Sequence, residues 1–288
     1  MGDFAGKQRA RSRHPHTPDQ GYTAAPPVPA CSSCTEVRSE GVIFVVNAEN
    51  HRVFQADLVE MFRQRKAVFV DGVGFEIPVI GDMEIDAYDR GDTLYLLAKD
   101  RPDGRLLASV RLLTTKGPHL MCELFDAADR EWMPGGATVW EASRFCTAPG
   151  VRDQGRRHAL LWEIICGVIE TGLLYGIDEV IFTASRALLP LALHCGWHVR
   201  TVDPGLRDPN DEVTALAATI TTAGLRRVRH LHDVPIPAIR LNEGAARSDP
   251  DRFESCAAVN GQWRSPLSLG QAAPVRRHIS SPWLRLTA

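Results

Sequence analysis

A mixed α/β fold (α+β class), a single domain with a central sheet flanked by helices, is predicted by three features of this 288-residue chain. Short runs rich in β-branched and aromatic residues alternate with longer segments whose apolar residues recur at helical spacing. A turn signal, Arg101-Pro102-Asp103-Gly104, separates two apolar runs and predicts a hairpin. Hydrophobic residues make up 44% of the chain, enough for one sizeable core.

The elements follow in order between about residues 41 and 235. GVIFVVN (41–47) reads as a strand, and Phe54, Leu58, Met61 and Phe62 fall on one face of a helix. A loop rich in glycine and acidic residues comes next, VDGVGFEIPVIGDMEIDAYDRGD. LYLLAK and RLLASVRLLTT form the hairpin, and TVWEASRFC is a strand by its β-branched and aromatic content. A long apolar helix is expected from His158 to Leu174. The strand EVIFTA, a helix ending near His194, the strand WHVRTV, the strand EVTALAATI and the helix TTAGLRRVRHL complete the pattern. Residues 1–40 are rich in Pro, Arg, Ser and Gly without apolar period and read as a flexible tail. Residues 236–288 read as a second extension, in which Phe253, Trp263 and Trp283 are candidates for docking.

Bulk properties exclude several function classes. A net charge of −2 gives no reason to expect nucleic acid or an anionic membrane as partner. No stretch approaches the roughly 18 consecutive apolar residues of a membrane span, and the N-terminus lacks the apolar stretch of a secretory signal. Gly6 stands where a myristoylation signal has Ser or Thr. A cytoplasmic protein is therefore expected. Seven scattered cysteines suit reduced thiols rather than a disulfide framework. Cys31-x-x-Cys34 lacks two further ligands, with His14 and His16 far upstream, so no metal is expected.

The informative residues are charges set among apolar neighbours, because an unpaired buried charge costs several kcal/mol or more. Arg111 lies in the middle of ASVRLLTT, and Glu141 and Arg144 lie inside VWEASRF. Strict strand alternation puts Glu141 and Ser143 on one face and Trp140 and Arg144 on the other. Each charge then needs its own partner, and Arg65, Glu84, Asp86 and Asp89 are available. Structural salt bridges could account for any one of them; as a set they point to a pocket for a charged ligand. A second feature is the run from Gly150 to Arg157 before the long helix. Its Gly155 permits close backbone approach, and Arg152, Arg156 and Arg157 with the helix-start amides suit a phosphate. That run resembles the pyrophosphate loop of the N-acetyltransferase superfamily.

Taken together, Arg65-x3-Phe69, Glu84-x-Asp86-x2-Asp89, Arg111-Leu112-Leu113-Thr114-Thr115 with Pro118, Phe125, and Trp140-Glu141-x-Ser143-Arg144-Phe145 resemble the autoinducer synthases. These are the acyl-homoserine-lactone synthases of bacterial quorum sensing, and the resemblance spans about residues 44–230. It implies an N-acetyltransferase-like fold and a two-step reaction. The amine of S-adenosylmethionine attacks an acyl thioester, and the methionyl carboxylate then closes the lactone and expels methylthioadenosine. Both compounds are substrates, and no permanently bound cofactor is implied. The acyl donor would be an acyl carrier protein or acyl-coenzyme A.

The resemblance also assigns roles. Glu141 would be the base, with Ser143 and Arg144 beside it; Arg65, Phe69, Phe75, Asp86, Asp89 and Arg111 would form the S-adenosylmethionine site. Arg111 and Arg144 would hold the acidic loop and the carboxylate. Phe125, Arg152, Gly155, Arg157, Thr183 and Ala184 would serve the acyl chain and its phosphopantetheine. Ala184 stands where the family has a Thr associated with 3-oxo chains, which favours an unsubstituted acyl group. Phe69 and Phe125 are equally readable as core. Phe75 departs from the family, which usually has Trp there; a degenerate, non-catalytic homologue or another N-acyltransferase of the superfamily is the alternative.

Overall fold

β1 (Val42–Val46) is five apolar residues, every one buried, as a strand covered on both faces requires. The computed structural model describes residues 41–125, 133–202, 213–234 and 238–240. α1 (Gln55–Arg65) follows and runs directly into a π-helical turn, Lys66–Gly72, which the sequence did not signal. The acidic segment expected as a loop contains a two-stranded ribbon, β2 (Val79–Ile80) with β3 (Met83–Glu84). The expected hairpin is present as β4 (Leu94–Lys99) and β5 (Leu106–Thr114), paired antiparallel. α2 (Leu120–Leu124) and β6 (Val139–Thr147) come next. α3 covers Gln154–Tyr175, then β7 (Glu179–Ser185), α4 (Leu189–His194), β8 (Val199–Thr201), β9 (Val213–Thr219) and α5 (Thr222–His232). β10 (Ile239–Arg240), beyond residue 235, pairs parallel with β1.

These strands form one mixed sheet in the order β10-β1-β4-β5-β6-β7-β9-β8. Alternation along each strand sends successive side chains to opposite faces. Ile43, Val45, Leu94, Leu96, Val110 and Leu112 meet α3 and α5 on one face. Val42, Phe44, Val46, Tyr95 and Leu97 meet Leu58, Met61 and Phe62 of α1 on the other. Beyond β6, that second face is covered by Met121 and Phe125 against Ile181, Ala215 and Ala217.

α3 is, among the described residues, the one helix long and apolar enough to cross a membrane. Half of its most apolar stretch is buried in the protein, because it is the core helix of the first face. Gly167 allows the approach: a Cβ there would stand 3.1 Å from Ile43 Cδ1 and 3.2 Å from Leu96 Cδ2. Glu170 on the same helix accepts from the Ala238 and Ile239 amides and pairs with Arg229, tying β10 to the body. α3 begins four residues before the expected His158, with Asp153 as its N-cap.

Burial also quiets two thiols. Loss of water pushes Cys146 up to about 12 and Cys166 up to about 12. The thiolate is the reactive form. Iodoacetamide at neutral pH is therefore expected to leave both unmodified in the native protein and to label both after denaturation, read by peptide mass spectrometry. Native labelling at the denatured rate would contradict this. Of the two proposed extensions only 238–240 are described, and they join the sheet; residues 1–40 and 241–288, with Cys31, Cys34, Phe253, Trp263 and Trp283, lie outside the described residues.

Candidate active site

Six charged side chains from separate parts of the chain meet on the α1 face of the sheet. Arg65, the last residue of α1, gives Nε to Glu84 Oε2 at 2.5 Å and both terminal nitrogens to Asp89, at 2.8 and 2.9 Å. Arg111, in the middle of β5, clasps Asp86 at 2.5 and 3.1 Å and reaches Asp89 Oδ1 at 3.1 Å. Arg144 donates to Glu84 Oε1 at 3.1 Å and Asp86 Oδ2 at 2.8 Å. The remaining lone pairs are used as well: Tyr95 Oη and the Asp86 amide donate to Asp89, and the Tyr88 amide donates to Asp86. Three guanidiniums thus neutralise three carboxylates, mostly by two-pronged contacts that suit a planar donor. Arg65 and Asp89, with side-chain exposures of 1% and 0%, are the enclosed centre of this network. The rim is Arg144, at 11%.

The π-helical turn sets the aromatic wall. It places Phe69, which is buried, where its carbonyl accepts from the Phe75 amide at 2.8 Å. Gly74, at φ +86°, makes the reversal between them. The two rings lie parallel, 8° apart in plane with centroids at 6.2 Å, and Arg144 Cζ sits 5.8 Å from the Phe69 ring. Phe75 is half-buried.

The expected split of β6 into opposite faces is corrected by a bulge. β5–β6 pairing slips between Ser109/Cys146 and Arg111/Ser143, and Arg144 has φ +56°. That conformation is unusual for a residue with a Cβ and turns Arg144 onto the face of Ser143, whose hydroxyl accepts from Arg111 Nε at 3.1 Å. Glu141 and Arg144 therefore share one face, contrary to strict alternation. The sheet also opens here. β6 pairs with β7 only through Val139, Trp140 and Glu141. Past that point β6 continues on β5, and β7 continues on β9. The central residues Ala142, Ser143, Arg144 and Phe145 are consequently half-buried, as are Phe182 and Thr183 across the gap.

Glu141 stands where the two strands part, yet none of the partners anticipated for it holds it. His119, just before α2, does: its Nδ1 lies 2.8 Å from Glu141 Oε2, which also accepts from the Met121 amide at 2.8 Å. Cys122 Sγ is 2.9 Å from His119 Nε2. Glu141 Oε1 is buried and has no hydrogen-bond partner among the described residues. His119 is the residue the sequence reading missed. Its place beside Pro118, inside a motif that reading had singled out, was the available signal.

The run from Gly150 to Arg157, expected to suit a phosphate, differs in part from its expected form. Its second half is the first turn of α3 rather than a loop, and Asp153 Oδ1 takes the Arg156 amide at 2.6 Å. Arg156 pairs with Glu163 at 2.6 Å, and Arg157 Nε donates to the Val151 carbonyl at 2.6 Å. Arg152 and Gly155 are exposed. On β7, strand alternation places Thr183 on the face of Ile181 and Ala184 on the α3 face with Phe182. Phe125 is 2% exposed and packs in the cluster of Met121 and Ile181.

The model of one protein family, autoinducer synthase, matches residues 49–228, from before α1 through most of α5. The chain belongs to the autoinducer synthase family. It is 30% identical over 229 residues to the isovaleryl-homoserine lactone synthase of Bradyrhizobium diazoefficiens, covering 78% of this chain and 100% of that one. It is 32% identical over 139 residues to an acyl-homoserine-lactone synthase of Rhizobium etli, covering 48% of this chain and 66% of the relative. Among solved structures, the CoA-dependent synthase MesI superposes with a TM-score of 0.60 at 25% identity, over 70% of this chain and all of MesI. BjaI, solved with SAM and isopentyl-CoA, gives the same score and identity over 93% of its chain. This autoinducer synthase is accordingly an acyltransferase of acyl-homoserine-lactone synthesis, with the mixed sheet-and-helix fold its sequence predicted.

Proposed function

We propose that the chain joins an acyl group from an acyl-coenzyme A to S-adenosylmethionine on the bulged face of β6, with Glu141 as the base. The observation carrying this reading is the Glu141 carboxylate: one oxygen fixed by two donors, the other buried and unpartnered, at the point where β6 and β7 part. An ammonium has no lone pair, so acyl transfer begins with proton removal to Glu141 Oε1. The freed amine then attacks the thioester carbonyl, the carbon–sulfur bond breaks, and the carrier sulfur leaves as its thiolate, which takes up the second proton the nitrogen sheds as the amide forms. In the second step the methionyl carboxylate attacks its own γ-carbon, and the carbon–sulfur bond breaks to release methylthioadenosine. The sulfonium is already a good leaving group, so that step asks the protein chiefly for alignment.

The neutral six-charge network serves as the floor of the S-adenosylmethionine site. Arg144 at its rim suits the substrate carboxylate, and the parallel Phe69 and Phe75 rings suit the sulfonium by cation–π attraction. Phe75 keeps a ring in that wall where the family usually has Trp, which favours an active enzyme over a degenerate one. The gap between β6 and β7, flanked by Phe145, Phe182 and Thr183, suits the thioester, and exposed Arg152 suits its phosphates. The coenzyme A form of the donor is supported by MesI and BjaI, both named CoA-dependent.

The test is to incubate the purified full chain with S-adenosylmethionine and matched acyl-coenzyme A and acyl-carrier-protein donors. Lactone and methylthioadenosine are read by mass spectrometry. Turnover with the coenzyme A series is expected. Turnover with the carrier-protein series alone would overturn the donor assignment, and no lactone with either would overturn the reaction.

A further inference from the structure

We propose that His119 is a positioning residue for acyl transfer, holding Glu141 Oε2 so that Oε1 alone meets the substrate amine, with Cys122 fixing the imidazole tautomer. The inference rests on the reading of Glu141 as base. It starts from hydrogen-bond bookkeeping. An ionised carboxylate only accepts, so His119 Nδ1, 2.8 Å from Glu141 Oε2, carries the proton. In the neutral ring Nε2 is then an acceptor, and Cys122 Sγ, 2.9 Å away, is its donor. The chain runs one way: thiol to imidazole, imidazole to carboxylate. A second donor, the Met121 amide, lands on the same Oε2.

Both donors thus converge on one oxygen and leave the other bare, with the Glu141 side chain 1% exposed. A buried carboxylate oxygen without a donor is a costly ground state that a substrate ammonium relieves. Fixing the carboxylate by Oε2 also fixes the direction in which Oε1 presents its lone pairs, which is the requirement for a proton transfer. The other groups near this chain do not compete. Tyr88, whose ring lies under the Arg111 guanidinium, is pushed well above its usual value by burial and by the carboxylates of Glu123, Glu141 and Asp86, so it stays a neutral phenol. Glu123, also on α2, is exposed. His119 itself is 4% exposed, and Cys122 is half-buried.

The position of the donor makes the idea testable. Asparagine can place an N–H where His119 has Nδ1, whereas glutamine places one near Nε2. With the full chain, S-adenosylmethionine and an acyl-coenzyme A that supports turnover, His119→Leu is expected to lower kcat about 10²-fold, the size of a misaligned reacting group. KM for S-adenosylmethionine should change little. His119→Asn should recover most of the loss and His119→Gln should not. Cys122→Ser, which retains a donor, should stay near the parent, and Cys122→Val should fall below it. Native kcat in His119→Leu, or equal recovery by Asn and Gln, would overturn the proposal; if the Leu variant does not fold, the Asn and Gln pair decides. Glu141→Gln in the same assay separates the two ideas. An inactive Glu141→Gln beside a fully active His119→Leu removes His119 alone, and an active Glu141→Gln removes the base.

Discussion

Glu141→Gln should keep the fold and lose amide formation by about 10²–10⁴-fold in kcat, the range for deleting a positioned general base. Glutamine has the same shape, and its carbonyl can take the Oε2 place, accepting from His119 Nδ1 and the Met121 amide as the carboxylate does. Its NH2 then occupies the Oε1 place, where a donor meets the substrate ammonium and no proton can be accepted. The melting temperature should stay close to the parent, because no buried donor loses its acceptor. Glu141→Ala behaves differently. It strands the His119 and Met121 donors in a site that excludes water, which costs about 1–3 kcal/mol besides the activity. Steady-state rates and thermal melts on both variants check the pair of expectations. Unchanged kcat in Glu141→Gln would remove the base role.

The same region shows how much of the site could be read before the structure. Period and composition located the strands and the main helices because those signals are local: five buried residues in β1, six in β4, and the turn between β4 and β5. The charge set was legible because charges inside apolar strands demand partners: six of its seven members meet, and the seventh, Glu141, is held by His119 instead. What escaped depended on geometry rather than pattern. The bulge at Arg144 has no glycine to announce it, so strict alternation put that side chain on the wrong face. The His119–Glu141 contact joins residues 22 apart, one just before α2 and one on β6, and no spacing rule reveals it. β2, β3 and β10 are two residues each, too short to show a period. The start of α3 was readable: Asp153 is a good N-cap, but the adjacent arginines made the first turn look like a loop.

Arg111→Met is expected to destabilise the protein by about 3–5 kcal/mol, because it strips one cation from a buried, mutually satisfied network. Arg111 is 1% exposed and, among the described residues, is the one guanidinium that bridges Asp86 to Asp89. Without it, Asp86 keeps only Arg144, Asp89 keeps only Arg65, and one negative charge stays uncompensated at the floor of the site. The exposed pair Arg63–Asp82 provides the control, since solvent already screens it, and Arg63→Met should barely move the melt. Adding Asp86→Asn to Arg111→Met should cost less than the two separate losses combined, because the second change removes the charge that the first left bare. Acid sensitivity follows from the same contacts. Burial alone would raise the Asp89 carboxyl, but the Arg65 and Arg111 guanidiniums outweigh it and hold the group well below the usual carboxylate range. A folded value below the unfolded one stabilises the native state above the unfolded value of about 4, and that contribution is lost as pH falls beneath it. The parent should therefore lose stability steeply below about pH 4, while Asp89→Asn, weaker at neutral pH, should show a shallower acid slope. Denaturant melts across that range measure both slopes. Equal slopes would mean that the network does not hold Asp89 ionised, and the cluster would then be a weaker anchor for Arg144 and the bulge than its hydrogen bonds indicate.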